Sequence, residues 1–506
     1  MKVKAKRIDI DSGDYIVIMH RHDAERLGLR SQARVKVEKS GKSKTALVEI
    51  SETLIQEGEV GLFRKISEKI DAKSGDELTL VPTGRPESID HIREKLEGKK
   101  LSTHAINEII QDITEGRLSD IELSAYVSGV YSNGMETQEI KDLIMAMIET
   151  GDIIEYDKKP VFDHHSVGGV PGNKITLLVV PIVAAAGMMI PKTSSRAISS
   201  AGGTADIFEV LTNVTLTTQQ IKEISEDIGG VIAWGGAVNL APSDDMIIRA
   251  EYPLRIDPYP QVIASVLSKK KAAGAEYLVM DIPVGPNTKV ETIEEGRKYA
   301  RDFVSIGEDI GIQVRCALSY GGQPVGNAVG PAVEAKEALM ALEGKEVPSS
   351  LLEKSTSLAG MVLEQGGVQE GKGKEKACEI LESGKALDKM KEIIERQGGD
   401  PGVDSSDVEV GEHTAEVFAR EDGYVGSIDN HDIIRIVRAA GGPHHKGAGL
   451  ILKKKKGDQV DEGEVLFTIH AEHEKKLEDA VKLANHLRPF HIEGMILETH
   501  PSYTTL

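Results

Sequence analysis

Apolar and polar residues alternate along Val3 to Ile10, Tyr15 to Met19 and Arg34 to Val37, the period of half-buried strands. Short polar turns separate them, a short helix over Asp23 to Leu27 closes at Gly28, and Val60 to Phe63 and Leu78 to Val81 supply later strands. From Ser88 the period lengthens to that of helices. Ser119 and Glu122 stand at capping-box spacing and predict a helix ending near Gly134, and another follows from Thr137 to Thr150. From Val161 strands and helices alternate. Val161 to Asp163 reads as a strand, followed by the glycine loop His165 to Gly172 and a buried helix from about Lys174. Thr217 to Gln220 caps a further helix. Val231 to Ala233, Tyr277 to Ile282 and Gln313 to Leu318 read as strands, and Glu291 to Gly307 as a helix. Helical pattern returns between Asp244 and Gly274, around the insert Tyr252 to Pro260, and again up to Arg396.

This succession predicts a multidomain α/β protein. Residues 1–84 form an N-terminal β-rich domain, which a Pro82 to Pro86 linker leaves. Residues 88–160 and 244–275 form a helical domain, 161–243 and 276–400 an α/β phosphate-binding domain, and 408–506 a C-terminal β-rich domain. In the last of these, turn glycines around Asp422 to Val425 and Lys456 to Leu466 give a spacing similar to α+β barrel-sandwich domains of the lipoyl or biotinyl kind. No Met-Lys-Met hairpin is present to carry a cofactor.

Charge narrows the function. A formal net charge of −20 argues against nucleic acid as the main partner and requires a local positive pocket for any anionic substrate. Cys316 and Cys378, far apart, make neither a disulfide framework nor a zinc ribbon. The first residues carry charges where a signal peptide has an apolar core, and the run Ile175 to Ile190 falls short of the roughly 18 residues of a membrane span. A soluble, cytoplasmic enzyme without a membrane partner is expected.

The densest candidate chemistry runs from Pro191 to Glu209, P-K-T-S-S-R-A-I-S-S-A-G-G-T-A-D-I-F-E. Ser194, Ser195, Ser199, Ser200 and Thr204 surround Arg196 and the pair Gly202-Gly203. Hydroxyls, a guanidinium and close-approach backbone N–H groups are the donors of a phosphate site. The alternative is a polar surface loop. A second anion loop, Asp163 to Gly169, offers His165, Ser166, Gly168 and Gly169. Two such loops suit a substrate with phosphate on both sides of the reacting centre, as when inorganic phosphate attacks an anomeric carbon while a base departs. A third cluster contains Arg255, Asp257, Ser265 and Lys269. Ser265 and Lys269 share a helix face, and Asp257 reads either as an acid or as half of a surface ion pair. Lys289 is a loop lysine or a phosphate contact. His444, His445 and Lys446 read as a solvated loop. No metal site and no cofactor are expected, inorganic phosphate being the co-substrate.

The stretch Ser194 to Glu209 resembles the defining motif of the thymidine and pyrimidine-nucleoside phosphorylases. Asp163 to Gly169 (D-H-H-S-V-G-G), Ser265 to Lys269 (S-V-L-S-K) and the tail from Lys456 (K-G-D-Q-V) follow in the family's order, from about residue 88 to the end. With its additional N-terminal β domain the chain is most similar to the archaeal-type AMP phosphorylase branch. The resemblance implies phosphorolysis of nucleoside 5′-monophosphates. AMP and phosphate would give adenine and ribose 1,5-bisphosphate, CMP and UMP would also be used, and the product would enter nucleotide salvage toward a carboxylase of the ribulose-bisphosphate type.

Residue by residue, the resemblance makes Asp257 the proton donor to the base and places His165 near base and sugar. Gly169, Ser195, Arg196, Ala197, Ile198, Ser199, Ser200, Thr204, Ser265 and Lys289 become substrate-binding, and Ser166, Ser194 and Thr204 phosphate-binding. It also implies a cleft between helical and α/β domains that closes on substrate, and a homodimer or larger homo-oligomer. The chain departs from the nucleoside enzymes at His164, where they commonly have Lys, and in the shorter stretch from Arg255 to Ser265. The alternatives are a thymidine or pyrimidine-nucleoside phosphorylase, more distantly a phosphoribosyltransferase, and a non-catalytic carrier or scaffold.

Overall fold

The computed structural model describes residues 1–197 and 200–494, which divide into two compact units: Met1–Thr150 with Ala241–Ala264, and Gly151–Leu240 with Ser265 onward. The first unit opens with a closed barrel. Its strands, in barrel order, are Lys2–Arg7, Glu59–Leu62, Ile16–His20, Lys42–Ser51, Arg34–Lys39 and Glu77–Thr83. Alternation decides which side chains fill it: Val3, Val17, Val35, Val37, Val48, Val60, Leu62, Leu78 and Leu80 point inward. Closure leaves no edge strand exposed.

Helices Ser88–Leu96, Thr103–Thr114, Asp120–Asn133 and Thr137–Glu149 follow, with Pro242–Leu254 returning to pack on the second and third of them. The capping box at Ser119 is formed, the Ser119 N–H donating to Glu122 Oε2 at 2.8 Å. Glu122 also pairs with Arg34 of the barrel, whose Nε donates to Arg117 O at 2.7 Å. One glutamate thus starts a helix and ties it to the barrel. A buried ion pair, Lys95 to Glu139 at 2.9 Å, locks the first helix to the fourth.

The second unit is built on parallel strands. Tyr277–Val284 lies between Phe162–Ser166 and Gln313–Tyr320, and Ile190–Ser194 pairs with Gly230–Trp234. A parallel bridge from Val161 to Met189 joins the two groups. Helix Thr176–Ala185 is apolar all round and nearly every side chain is buried, as a helix enclosed by core must be. Helices Thr204–Phe208, Thr218–Ile228, Ile293–Asp309, Pro331–Leu342, Ser349–Gln365, Gly373–Glu382 and Lys385–Arg396 also belong to this part.

The tail contributes a three-stranded sheet and three strands of a four-stranded one, whose remaining strand is Ala328–Val329 of the preceding part, paired with Gly449–Leu452. It also contains two helices that the turn glycines concealed, Asn430–Ala439 and Glu474–Leu487. Ile433, Ile436 and Val437 line the buried face of the first behind an Asp429 N-cap, a 3.6-residue period inside a segment otherwise punctuated by turn glycines. No helix of the described residues is long and apolar enough to cross a membrane.

Candidate active site

Two predicted hydroxyls sit where parallel strands of the second unit end. Ser166 closes Phe162–Ser166 and Ser194 closes Ile190–Ser194, at the carboxyl ends of strands where open α/β sheets take their ligands. Both Oγ atoms are shielded from solvent and neither has a hydrogen-bond partner. A buried hydroxyl without a partner is costly, and two such hydroxyls at strand ends that lead into glycine-containing loops point to a ligand that supplies acceptors.

After Ser166, Gly168 and Gly169 take φ of +94° and +86°. A Cβ on Gly169 would lie 2.5 Å from the Lys289 backbone nitrogen, so this loop rests on the turn carrying Lys289. Thr288 Oγ1 ties that turn together, donating to Val290 O at 2.6 Å. Gly169 and Lys289 are thereby brought together. Ser265 and Lys269 lie one turn apart on helix Tyr259–Ala272, both half-buried.

Under the strand ends lies a charge cluster that sequence reasoning missed. Lys270 Nζ is 2.6 Å from Asp163 Oδ2 and Lys192 Nζ 3.5 Å from Asp163 Oδ1, all three side chains at most 3 % exposed. Lys192 also donates to His164 O at 2.6 Å, and Lys270 to Thr193 O at 3.2 Å. Burial, partly opposed by Asp163, pushes Lys192 down to about 7. Two lysines share one carboxylate and Lys192 is about half protonated at neutral pH, so the buried cluster carries a partial positive charge, of the sign an acidic chain needs near an anion. A signal existed: Lys270 continues the buried stripe of Ile263, Val266 and Leu267, although the run K-K-K reads as solvated.

Burial, then the charges of Lys192, Lys270 and Lys269, holds the His165 imidazole well below its ordinary value. His165 is therefore neutral at neutral pH, a hydrogen-bonding group beside the anion loop. His164 is similarly neutral, by burial first, but bonds Thr176 Oγ1 at 3.0 Å inside the core.

The long loop is organised differently from the sequence expectation. Arg196 does not present an unengaged guanidinium. It pairs with both oxygens of Glu209, lies 3.2 Å from Asp206, and stacks on Trp234 with 4.7 Å to the ring centroid. Asp206 Oδ2 accepts the Ala197 N–H at 2.7 Å and the Gly203 N–H at 3.1 Å, occupying donors that a phosphate would use. Lys446 reaches Glu209 at 2.9 Å and Asp206 at 3.3 Å. Arg196 and Lys446 together hold the Glu209 carboxyl down to about 2, so this clamp persists until pH falls from about 4.5 towards that value.

Gly203 passes so close to the loop that a Cβ would lie 2.6 Å from Ser195 O. Ser195 is exposed, Ala197, Ser200 and Thr204 half-buried, and Ile198 and Ser199 lie outside the described residues. Asp257 belongs to the first unit, on an exposed segment after Arg255, whose φ is +53°.

Two outcomes follow. Ser166→Ala and Ser194→Ala should each weaken inorganic phosphate binding roughly tenfold to a hundredfold, the worth of one hydrogen bond to a charged group; titration calorimetry reads it. Arg196→Ala should act on the loop as a whole. The emission of Trp234, the sole tryptophan, should change before any ligand is added, and an unchanged spectrum would contradict the clamp.

Comparison with known proteins gives the family. The glycosyl transferase family helical bundle domain matches residues 89–151 and its a/b domain residues 158–387; the pyrimidine nucleoside phosphorylase C-terminal domain matches 424–490. The AMP phosphorylase of Methanosarcina mazei is 48% identical over 502 residues, 99% of each chain. That of Thermococcus kodakarensis is 49% identical over 98% of this chain and 99% of its own. The chain belongs to the AMP phosphorylase family. Anthranilate phosphoribosyltransferase from Thermus thermophilus has a similar fold, with TM-score 0.51 and 18% identity over 61% of this chain and 99% of its own. Alignment with AMP phosphorylases along nearly the whole length includes the N-terminal barrel, which lies ahead of the matched family domains.

Proposed function

We infer that the chain is a pentosyltransferase that cleaves AMP by phosphorolysis. A phosphate oxygen attacks C1′, the bond from C1′ to the base nitrogen breaks with its electron pair going to the base, and a proton is delivered to the departing adenine. Because AMP keeps its 5′-phosphate, the sugar product is ribose 1,5-bisphosphate. The observation that carries this reading is 48% identity to AMP phosphorylase along 99% of both chains. The partnerless hydroxyls of Ser166 and Ser194 above a cationic cluster supply the anion chemistry it needs.

In this reading Asp257 delivers the proton, and the neutral His165 donates a hydrogen bond to sugar or base. Gly169, Ser195, Ala197, Ile198, Ser199, Ser200, Thr204, Ser265 and Lys289 line the substrate, while Arg196 shapes the loop from behind. CMP and UMP are further substrates, no cofactor takes part, and the enzyme acts in the cytoplasm as a homo-oligomer supplying nucleotide salvage. The match of residues 424–490 to the pyrimidine nucleoside phosphorylase domain favours a second reading, cleavage of unphosphorylated nucleosides. Phosphorus NMR of AMP with orthophosphate separates them. A product with two phosphate ester resonances, formed as orthophosphate disappears, supports the first. Turnover of uridine with AMP untouched supports the second.

A further inference from the structure

His445, which the reaction leaves without a role, sits in an unusual setting. Its N–H donates to Gly441 O at 3.0 Å and its carbonyl accepts from Ala448 at 3.1 Å, so the backbone is fixed in a turn. The ring lies against Gly441, at φ +119°, where a Cβ would come within 2.9 Å of it. The ring meets His473 edge to face, centroids 4.8 Å apart. Glu472 completes the group. Its Oε1 is anchored by the Gly447 N–H at 2.7 Å, which leaves Oε2 3.8 Å from His445 Nδ1. That separation is too long for a hydrogen bond, and His445 Nδ1 is shielded from solvent with no hydrogen-bond partner.

We propose that His445, Glu472 and His473 form a binding site for a divalent transition metal, outside the catalytic residues. One ligand atom from each lies within 4.8 Å of the other two. Ligand atoms at about 2.0–2.2 Å from a tetrahedral Zn²⁺ stand about 3.3–3.6 Å apart, so small side-chain rotations close the set. Two imidazoles and one carboxylate are zinc-type ligands rather than those of a hard cation, and three protein ligands leave a fourth position for water. Lys446, the sequence neighbour of His445, is engaged elsewhere, since it reaches Asp206 and Glu209.

A second cluster, His20, His22 and Glu57, has comparable spacing but spent donors. His22 Nδ1 is 2.6 Å from Glu57 Oε1, Arg26 lies 3.6 Å from Glu57 Oε2, and His20 Nδ1 accepts the His22 N–H. At the His445 site the buried nitrogen and one carboxylate oxygen remain uncommitted. A metal there braces the turn that carries Lys446, and through it the loop from Ser194 to Glu209.

The test uses the full chain without a histidine tag, stripped of metal and titrated with Zn²⁺ against a chromophoric chelator, and separately with Co²⁺. One equivalent per chain and the visible absorption of tetrahedral Co²⁺ are expected. His445→Ala, Glu472→Gln and His473→Ala should each weaken uptake by more than about tenfold, since even loss of a supporting hydrogen bond costs that much at such sites. His473 and Glu472 are exposed, so their variants fold even if His445→Ala disturbs the turn. The double variant His20→Ala, His22→Ala should bind as the parent does. No stoichiometric uptake, uptake that survives the His473 and Glu472 substitutions, or loss in the His20, His22 variant would overturn the proposal.

Discussion

Asp257→Asn is expected to lower turnover on AMP by about 10²–10⁴-fold while AMP affinity stays close to that of the parent enzyme, the range that loss of a positioned general acid produces. The substitution keeps the shape of the side chain and removes its capacity to deliver a proton. A fall in kcat with KM nearly constant marks an interaction made in the transition state alone. The exposed setting of Asp257 within its unit makes a folding defect a poor explanation for lost activity, and an unchanged denaturation curve checks this. Surviving turnover would move the donor elsewhere. His165 is then a weak substitute, because burial and the neighbouring lysines keep its imidazole from carrying the extra proton.

The largest effect on stability is expected at Asp163. Replacing it with Ala leaves Lys192 and Lys270 buried beside each other without their counter-ion. Breaking a buried pair from one side costs about 3–5 kcal/mol, read here as a lowered urea midpoint. The pH dependence has a definite sign. Lys192 titrates lower in the folded chain than its ordinary 10.5, so between the two values the unfolded chain binds more protons and this group's contribution to stability rises with pH. Without Asp163 the folded value falls further and that window should widen towards acid. A midpoint equal to the parent's at neutral pH would show that the cluster relaxes by admitting water.

Local signals were legible where chemistry and geometry lie close in sequence. Ser119 with Glu122 announced a capping box and Thr217 to Gln220 a helix cap, both of which are formed, and the glycines after Ser166 announced a turn at a strand end. What was not legible depends on distant partners. The paired state of Arg196 rests on Glu209, within the same motif, but also on Lys446, which meets Asp206 across 240 residues of chain. Lys192 and Lys270 look like ordinary surface lysines until the parallel strands bring Asp163 between them. The tail helices were hidden for a local reason: turn glycines drew attention to period two, and the buried Ile433, Ile436 and Val437 repeat at the helical period. Resemblance supplied the reaction, and the orphaned hydroxyls supply a physical reason to expect an anion where the motifs place one.

The most direct test of the central claim is base release followed by chromatography, with AMP, CMP, UMP, adenosine, uridine and thymidine offered separately, each with and without inorganic phosphate. The account predicts release from AMP that requires phosphate, release from CMP and UMP on the same terms, and little from the three nucleosides. Release from uridine or thymidine in preference to AMP, or release from AMP that proceeds equally well without phosphate, would contradict it.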